Sequence, residues 1–467
     1  MSLKHTSNPE DTICAISTPP GVGAIALVRI SGKKAFGILG KIFVPQKKTV
    51  VKNAASHTIH FGKIVFKEET IDEVLISVFR APNSFTGEDI VEINCHGSMY
   101  VQQKLMEVLI ASGLRLATPG EFTMRAFMNG KLDLTQAEAI ADLIAATSKS
   151  AHDLALSQIR GRFSDKIRLL REKLINFASL IELELDFSEE DVEFANRDEF
   201  KTLVSELKNE IHTLIESFAQ GNVIKHGIPV AIVGKPNVGK STLLNALLNE
   251  EKALVSEIPG TTRDAIEDTL TINGTTFRFI DTAGIRISKD EIEQMGVERT
   301  YQKIEQSQIV LYVIDISKTT VDDIKHDLTD FSEHIKNSDK KFIIIANKID
   351  KLVKTPVKFS QLVELETVFI SAKRKENITL LIDALLRSVN VTFNSDNAIV
   401  SNIRHYEALT KTRDALENIE NGLNKNLSSD LLTSDIRTAM HFLGEITGEI
   451  TTEDILGNIF GKFCIGK

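Results

Sequence analysis

Apolar residues change their spacing along this chain, and each change marks a different kind of element. Between residues 24 and 94, apolar runs at 24–30, 58–66, 74–79 and 90–94 predict strands, and the pattern at 100–112 predicts a helix. Turn chemistry separates these elements: Pro19-Pro20-Gly21, Ser31-Gly32, Pro82-Asn83 and Gly113. From Thr135 to about Gln220 the spacing is helical, most clearly at Phe200, Leu203, Val204, Leu207, Ile211, Leu214, Ile215 and Phe218. A second helical block runs from Ser401 to Phe463, with Thr451 and Thr452 placed to cap a helix opening at Glu453-Asp454. Between the two blocks, residues 228–389 alternate short apolar strands with helices over the length of one doubly wound domain.

These patterns predict a multidomain α/β plus α architecture. Residues 1–118 form an α/β domain, and the connection Thr118-Pro119-Gly120-Glu121 opens a helical region at 119–222. A nucleotide-binding α/β domain occupies 223–389, and 390–467 completes the helical domain into which it is inserted.

Composition narrows the class. The chain has 467 residues, too many for one ordinary core, so about three domains are expected. A charged fraction of 25% and a hydrophobic fraction of 42% are those of a globular protein in water. No apolar run approaches the roughly 18 residues of a membrane span, and the opening MSLKHTSNPED has no apolar signal core, so a cytoplasmic protein with no membrane partner is expected. Cys14, Cys95 and Cys464 lie far apart, which suggests neither a disulfide framework nor a zinc site. The net charge of −9 argues against coating nucleic acid through global charge, so any RNA contact must be local.

The central chemistry lies in AIVGKPNVGKSTLLN (231–245). An apolar strand at 230–233 runs into Gly234, Lys235, Pro236, Asn237, Val238, Gly239, Lys240, Ser241 and Thr242, then into a helix carrying Leu243, Leu244, Ala246, Leu247 and Leu248. In a strand–loop–helix of this kind, the glycines let successive backbone N–H groups curl around phosphates. Lys240 reaches the β and γ oxygens, and the Ser241 hydroxyl ligates Mg²⁺.

The other elements of a GTP site follow in order. Gly260, Thr261, Thr262, Arg263 and Asp264 form a candidate switch in which Thr262 places an oxygen on Mg²⁺ when the γ-phosphate is present. Asp281, Thr282, Ala283 and Gly284 follow a strand at 277–280, which sets Asp281 toward the metal and the Gly284 N–H toward the γ-phosphate. Strands at 342–346 and 368–370 lead into Asn347-Lys348-Ile349-Asp350 and Ser371-Ala372-Lys373. The Asp350 carboxylate accepts from guanine N1–H and the exocyclic amine, an arrangement adenine does not offer, so GTP is selected over ATP. Each motif alone also occurs as a surface turn; all of them in order after predicted strands single out a GTPase. Where simpler GTPases place a glutamine just after D-x-x-G to orient the attacking water, this chain has Ile285, which cannot hydrogen-bond. Asp290, Glu291 and Glu293 are the nearby acidic candidates.

The chain as a whole resembles the MnmE/TrmE GTPases, which modify the wobble uridine of certain tRNAs. The resemblance covers essentially its full length and rests on PPGVGAIALVRISG (19–32), NSFTGEDIVEINCHG (83–97), PGEFTMRAFMNGKLDLTQAEAIADLI (119–144), GTTRD (260–264) and the terminal CIGK (464–467). It implies a tetrahydrofolate-binding, dimerising amino-terminal domain, a discontinuous helical domain and an inserted Ras-like P-loop GTPase domain. By motif match, Arg29, Glu92, Lys131 and Lys467 contact the tetrahydrofolate one-carbon donor, a basic and acidic set that suits a pterin and a glutamate tail.

The resemblance also implies hydrolysis assisted by K⁺ and by dimerisation of the GTPase domains. Asn237 would ligate K⁺, with Ser256, Ile258 and Thr261 adding oxygens; Glu257, Pro259 and Gly260 complete that nucleotide-side segment, and Glu293 would orient the water. Lys240 and Thr262 are the remaining catalytic candidates around the phosphates. FAD is expected on an MnmG/GidA-type partner, since no dinucleotide fingerprint occurs in this chain, and the pair would add an aminomethyl or carboxymethylaminomethyl group at uridine C5.

Cys464 has two readings: a thiol serving modification, or a buried structural thiol near a helix end. The run Arg160, Arg162, Lys166, Arg168, Arg171 and Lys173 likewise reads either as an RNA-facing stripe or as a solvated helix face. A non-modifying GTPase switch in ribosome assembly is the alternative function. It would require an RNA-binding module after the GTPase domain, and no GxxG-bearing KH-like unit follows Ser371.

Overall fold

The computed structural model describes residues 11–46, 53–186, 197–252, 268–280, 301–331, 340–352, 366–389, 398–425, 427 and 429–466. They group into two compact units, one of residues 1–141, 158–208 and 411–467 and the other of 142–157 and 209–410.

The first unit opens with β1 (Ile13–Ile16), β2 (Ile25–Ser31), α1 (Ala35–Ile42), β3 (Phe43–Pro45), β4 (Thr58–Phe66), β5 (Glu69–Phe79), β6 (Ile90–His96), α2 (Met99–Ala111) and β7 (Arg115–Leu116). The strands make one sheet in the order β3-β4-β5-β6-β2-β1-β7, antiparallel except for the β1–β7 pair. Alternation along the strands sends Val28, Ile30, Ile64, Val74, Ile76, Val78, Val91 and Ile93 into a core completed by Phe36, Ile38 and Leu39 of α1 and Leu105, Val108 and Leu109 of α2. The opposite side of the β4–β5 hairpin keeps Ile59, Phe61 and Leu75 exposed. The strands expected at 24–30, 58–66, 74–79 and 90–94 correspond to β2, β4, β5 and β6, and the expected helix at 100–112 to α2.

The helical part begins with α3 (Glu121–Met128), α4 (Leu134–Ala145), α5 (Lys149–Ile159), α6 (Arg162–Asp186) and α7 (Arg197–His226). Gly120 precedes α3 with φ of +66°, and a Cβ there would stand 2.6 Å from the Phe460 carbonyl oxygen, so the close approach requires glycine.

In the second unit follow β8 (Ile228–Val233), α8 (Lys240–Lys252), β9 (Asp268–Ile272), β10 (Thr275–Phe279), β11 (Ile309–Asp315), α9 (Val321–Asp330), β12 (Lys341–Asn347), β13 (Glu366–Ile370) and α10 (Ile378–Arg387). Their sheet order is β13-β12-β11-β8-β10-β9, with only β9 antiparallel. β11 is buried along its whole length, IVLYVID, as expected for a parallel strand covered on both faces. One layer of core joins Val230, Ile232, Leu311 and Val313 to Leu243 and Leu247 of α8 and to Leu381 and Leu385 of α10; the other joins Val310, Tyr312 and Ile344 to Ile324 of α9. Doubly wound topology places the C-terminal ends of β8, β11, β12 and β13 along one edge, where ligands bind in such sheets.

The chain ends with α11 (Ile403–Asn424), α12 (Ser429–Thr447) and α13 (Glu453–Phe460). In the first unit, α6 and α12 pack side by side, and Arg171 of α6 pairs with Glu449 just beyond α12. Phe177 of α6 stacks on Phe200 of α7 with ring centroids 3.4 Å apart. The Thr452 hydroxyl accepts from the Ile455 N–H and caps α13, one of the two expected caps. Phe460 and Phe463 then pack with Leu134 and Ala137. No described helix is long and apolar enough to cross a membrane.

Candidate functional site

The phosphate loop leaves the buried strand β8 at a point where the backbone has no room for side chains. Gly234 has φ of +145°, and a Cβ there would lie 2.2 Å from the Val313 carbonyl oxygen of β11. Asn237 takes a left-handed φ of +62°, and Gly239 follows at +105°. Alternation of this kind turns successive amides inward to form a nest for anions. The Gly239 carbonyl then accepts from the Leu243 N–H at 2.9 Å, which starts α8 and sets its N-terminus behind the loop. Ser241 and Thr242 lie in that first turn.

Lys240 Nζ donates to the carbonyls of Gly234 (2.7 Å) and Lys235 (2.9 Å), so the ammonium is held over the loop. Burial, reinforced by the nearby charge of Lys303, holds it below the ordinary lysine range. A polyphosphate would repay that desolvation directly.

The base-side motifs are braced to the same loop. Asn347, buried at the end of β12, donates from Nδ2 to the Val238 carbonyl (2.8 Å) and accepts at Oδ1 from the Ala372 N–H (3.0 Å). One amide thereby ties phosphate loop to 371–373 loop. Lys348, with φ of +69°, donates to the Asn237 carbonyl (2.6 Å) and to Asp315 (2.7 Å). Ser371 donates to Asp350 Oδ1 at 2.7 Å and accepts from the Arg374 N–H at 3.2 Å. That hydroxyl holds the Asp350 carboxyl below its ordinary range, ionised and fixed at the rim with Ile349 and Lys373 beside it.

Asp315 was not singled out from sequence. Burial raises its carboxyl, but hydrogen bonds from Lys348 and Ser317 outweigh burial and hold it low. Its only sequence signal is position: an acid at the end of the apolar run IVLYVI.

The structure therefore brings Asn237, Val238, Gly239, Lys240, Ser241 and Thr242 to one end of the sheet with Asn347, Lys348, Ile349, Asp350, Ser371, Ala372 and Lys373. Ser256, Glu257, Ile258, Pro259, Gly260, Thr261, Thr262, Asp281, Thr282, Ala283, Gly284, Glu293 and Lys467 lie outside the described residues.

A second polar constellation sits in the first unit. Arg29 and Glu92 face each other in register across β2 and β6 and form an ion pair at 2.8 Å. The rings of Phe85 and Phe122 flank the guanidinium at 5.6 and 5.8 Å. Two residues beyond Phe85, a Cβ on Gly87 would stand 3.3 Å from Lys131 Cε, so one short loop runs from Arg29 to Lys131. The chain terminus reaches the same sheet: Ser17 donates to the Gly466 carbonyl at 3.0 Å, next to β1, whose Ala15 is paired with Arg29.

Cys464 is exposed, which corrects the reading of a buried thiol. The Gly120 N–H bonds to its carbonyl at 3.4 Å, so the backbone is docked while the side chain is left at the surface. In the basic run, Arg168 pairs with Asp165 (2.8 Å) and Asp133 (3.3 Å), and Arg171 with Glu449. Those two arginines are engaged in ion pairs and do not form a free cationic stripe.

A phosphate nest on a doubly wound sheet, cross-braced to an Asp-bearing base loop, defines a P-loop guanine-nucleotide-binding protein. Sequence profiles described as "MnmE helical domain" and "GTP-binding protein TrmE N-terminus" match residues 134–464 and 12–131. The tRNA modification GTPase MnmE of Christiangramia forsetii is 52% identical, covering 98% of this chain and 99% of its own. That of Cytophaga hutchinsonii is 50% identical over the whole of both chains. A solved FeoB G-domain from Methanococcus jannaschii, 21% identical, covers 34% of this chain and 96% of its own at a TM-score of 0.26 and adds nothing to the topology described above. The chain belongs to the MnmE family of tRNA modification GTPases.

Proposed function

We propose that this chain hydrolyses GTP in tRNA modification and acts with an FAD-binding MnmG/GidA-type protein. The pair adds an aminomethyl or carboxymethylaminomethyl group at C5 of the wobble uridine from a tetrahydrofolate one-carbon donor. The observation that carries the GTPase part is the Asn347 brace, which holds the phosphate nest and the base loop as one surface.

Hydrolysis needs charge on the β- and γ-phosphates neutralised and a water aligned. Lys240 supplies an ammonium held next to the nest, and Asp350 fixes the guanine. The half-buried Ser241 at the start of α8 suits Mg²⁺ together with Thr262. A K⁺ ion held by Asn237, Ser256, Ile258 and Thr261 would supply the positive charge that an arginine finger supplies elsewhere. Asn237 fits that role: it is exposed on the rim of the nest, and its left-handed backbone is fixed through the Lys348 bond. Glu293 takes the water-orienting part that Ile285 cannot.

The Arg29–Glu92 pair, Lys131 near Gly87 and the Gly466 carbonyl docked on Ser17 support a folate site, to which Lys467 would add its charge. The exposed stripe of Ile59, Phe61 and Leu75 supports a homodimer through the amino-terminal sheet. Steady-state GTP turnover in KCl against NaCl at equal ionic strength tests the hydrolytic part. Turnover should fall at least tenfold in Na⁺, roughly the 1.4 kcal/mol or more expected of a lost charge contact at the transition state. Equal rates would remove K⁺ and Asn237 from the account.

A further inference from the structure

A cleft of about 640 Å³ in the amino-terminal domain is lined by Lys33, Lys34, Lys41, Arg80 and a single carboxylate, Asp89. In a chain with 64 acidic and 55 basic residues, four cations around one acid are a local inversion of charge. We propose that this cleft binds the phosphate backbone of the RNA substrate, an inference that rests on the tRNA reading above and assigns it a surface.

The cleft is built for anions. Arg80 is anchored: its Nε donates to the Ala54 carbonyl at 2.7 Å, its N–H to Ser56 at 2.9 Å, and its guanidinium lies over the Phe36 ring at 4.3 Å. Asp89 is turned to structural use, accepting from the Ala81 N–H at 3.1 Å. Lys34 and Lys41 are exposed, seven residues apart on one face at the start and end of α1, roughly 10 Å along its axis. Gly37 lies between them, and a Cβ added there would meet nothing within 4 Å, so the helix surface between the ammonium groups is open.

The spacing lets the two lysines engage different phosphates. Phe36 is buried beneath Arg80, so among the described residues the cleft lining offers no free aromatic platform on which a base could stack. It therefore suits backbone contact that positions RNA without reading sequence. A free nucleotide or inorganic phosphate shares the phosphate chemistry, but would not use lysines a full helix apart at once.

The test is a fluorescence-anisotropy titration of labelled tRNA transcript with the full chain between 50 and 200 mM KCl. Lys34→Ala/Lys41→Ala is compared with Lys63→Ala/Lys104→Ala, which removes the same charge away from the cleft. The cleft variant should bind more weakly and lower the slope of log affinity against log salt by about 1.4 to 1.8, at 0.7 to 0.9 per phosphate contact. The control should match the unmodified chain, and basal GTP turnover should be unchanged in both. Equal slopes for the two variants, with the unmodified chain binding tRNA, would overturn the cleft while leaving the tRNA reading intact. No binding by the unmodified chain would overturn both. Competition by millimolar inorganic phosphate as effective as by unlabelled tRNA would show a small-anion site and also overturn the proposal.

Discussion

Replacing Asn347 by alanine removes the side chain that ties the phosphate loop to the 371–373 loop. Asn347 is 2% exposed, and both ends of its amide are used, at 2.8 Å to the Val238 carbonyl and 3.0 Å from the Ala372 N–H. Truncation leaves both backbone groups facing a void. Each orphaned buried group costs about 1–3 kcal/mol, so the pair is worth about 2–6 kcal/mol. The nucleotide-free chain can relieve part of this by letting the loops part, and that part must be returned when GTP draws them together. If half is returned, nucleotide affinity falls about 5- to 150-fold, at 1.4 kcal/mol per factor of ten. Titration with a fluorescent GDP analogue reads the change, with far-UV circular dichroism to confirm that the helices and strands persist. A dissociation constant within twofold of the unmodified chain, with the fold intact, would refute the bracing argument.

Two further outcomes concern Asp350 and Glu121. Asp350→Asn should weaken GTP binding by at least two orders of magnitude and improve binding of xanthosine triphosphate, since the amide can donate where the carboxylate accepted; competition assays with the two nucleotides would expose a failure. Glu121→Ala should cost about 1–3 kcal/mol, because Arg125, 6% exposed, loses its bond to buried Glu121 while keeping the pair with Glu88. Burial alone would raise the Glu121 carboxyl, but bonds from Arg115, Thr118 and Arg125 hold it below its ordinary value of 4.5. Its stabilising share is therefore fully present above that value and is lost as pH falls through the lower folded one. The gap in urea midpoint between the Glu121→Ala and unmodified chains should narrow as pH falls from 7 to 3, and a constant gap would contradict the linkage.

Much of the nucleotide site was legible because its residues follow strands with continuous apolar runs, as in β8 and β12. The sheet then fixes where each loop emerges. What sequence could not supply was pairing: Asp315 beneath Lys348, Asn347 between two loops, and Arg80 over Phe36 are all long-range contacts with no local period. α1 was also missed, since AFGILGKI carries Gly37 and Gly40, poor helix residues whose cost is offset by burial of Phe36, Ile38, Leu39 and Ile42. β1 and β7 are too short to show alternation and exist through each other and β2. Cys464 turned the other way because a docked backbone at Gly120 and Gly466 does not require a buried thiol between them.

The central claim is that this GTPase serves modification of the wobble uridine. It is met most directly by mass analysis of nucleosides from the tRNA of cells lacking this chain, beside cells in which it is restored. The account predicts loss of the C5-aminomethyl-type groups at the wobble position and their return on restoration. Unaltered wobble uridines in the deficient cells would contradict it.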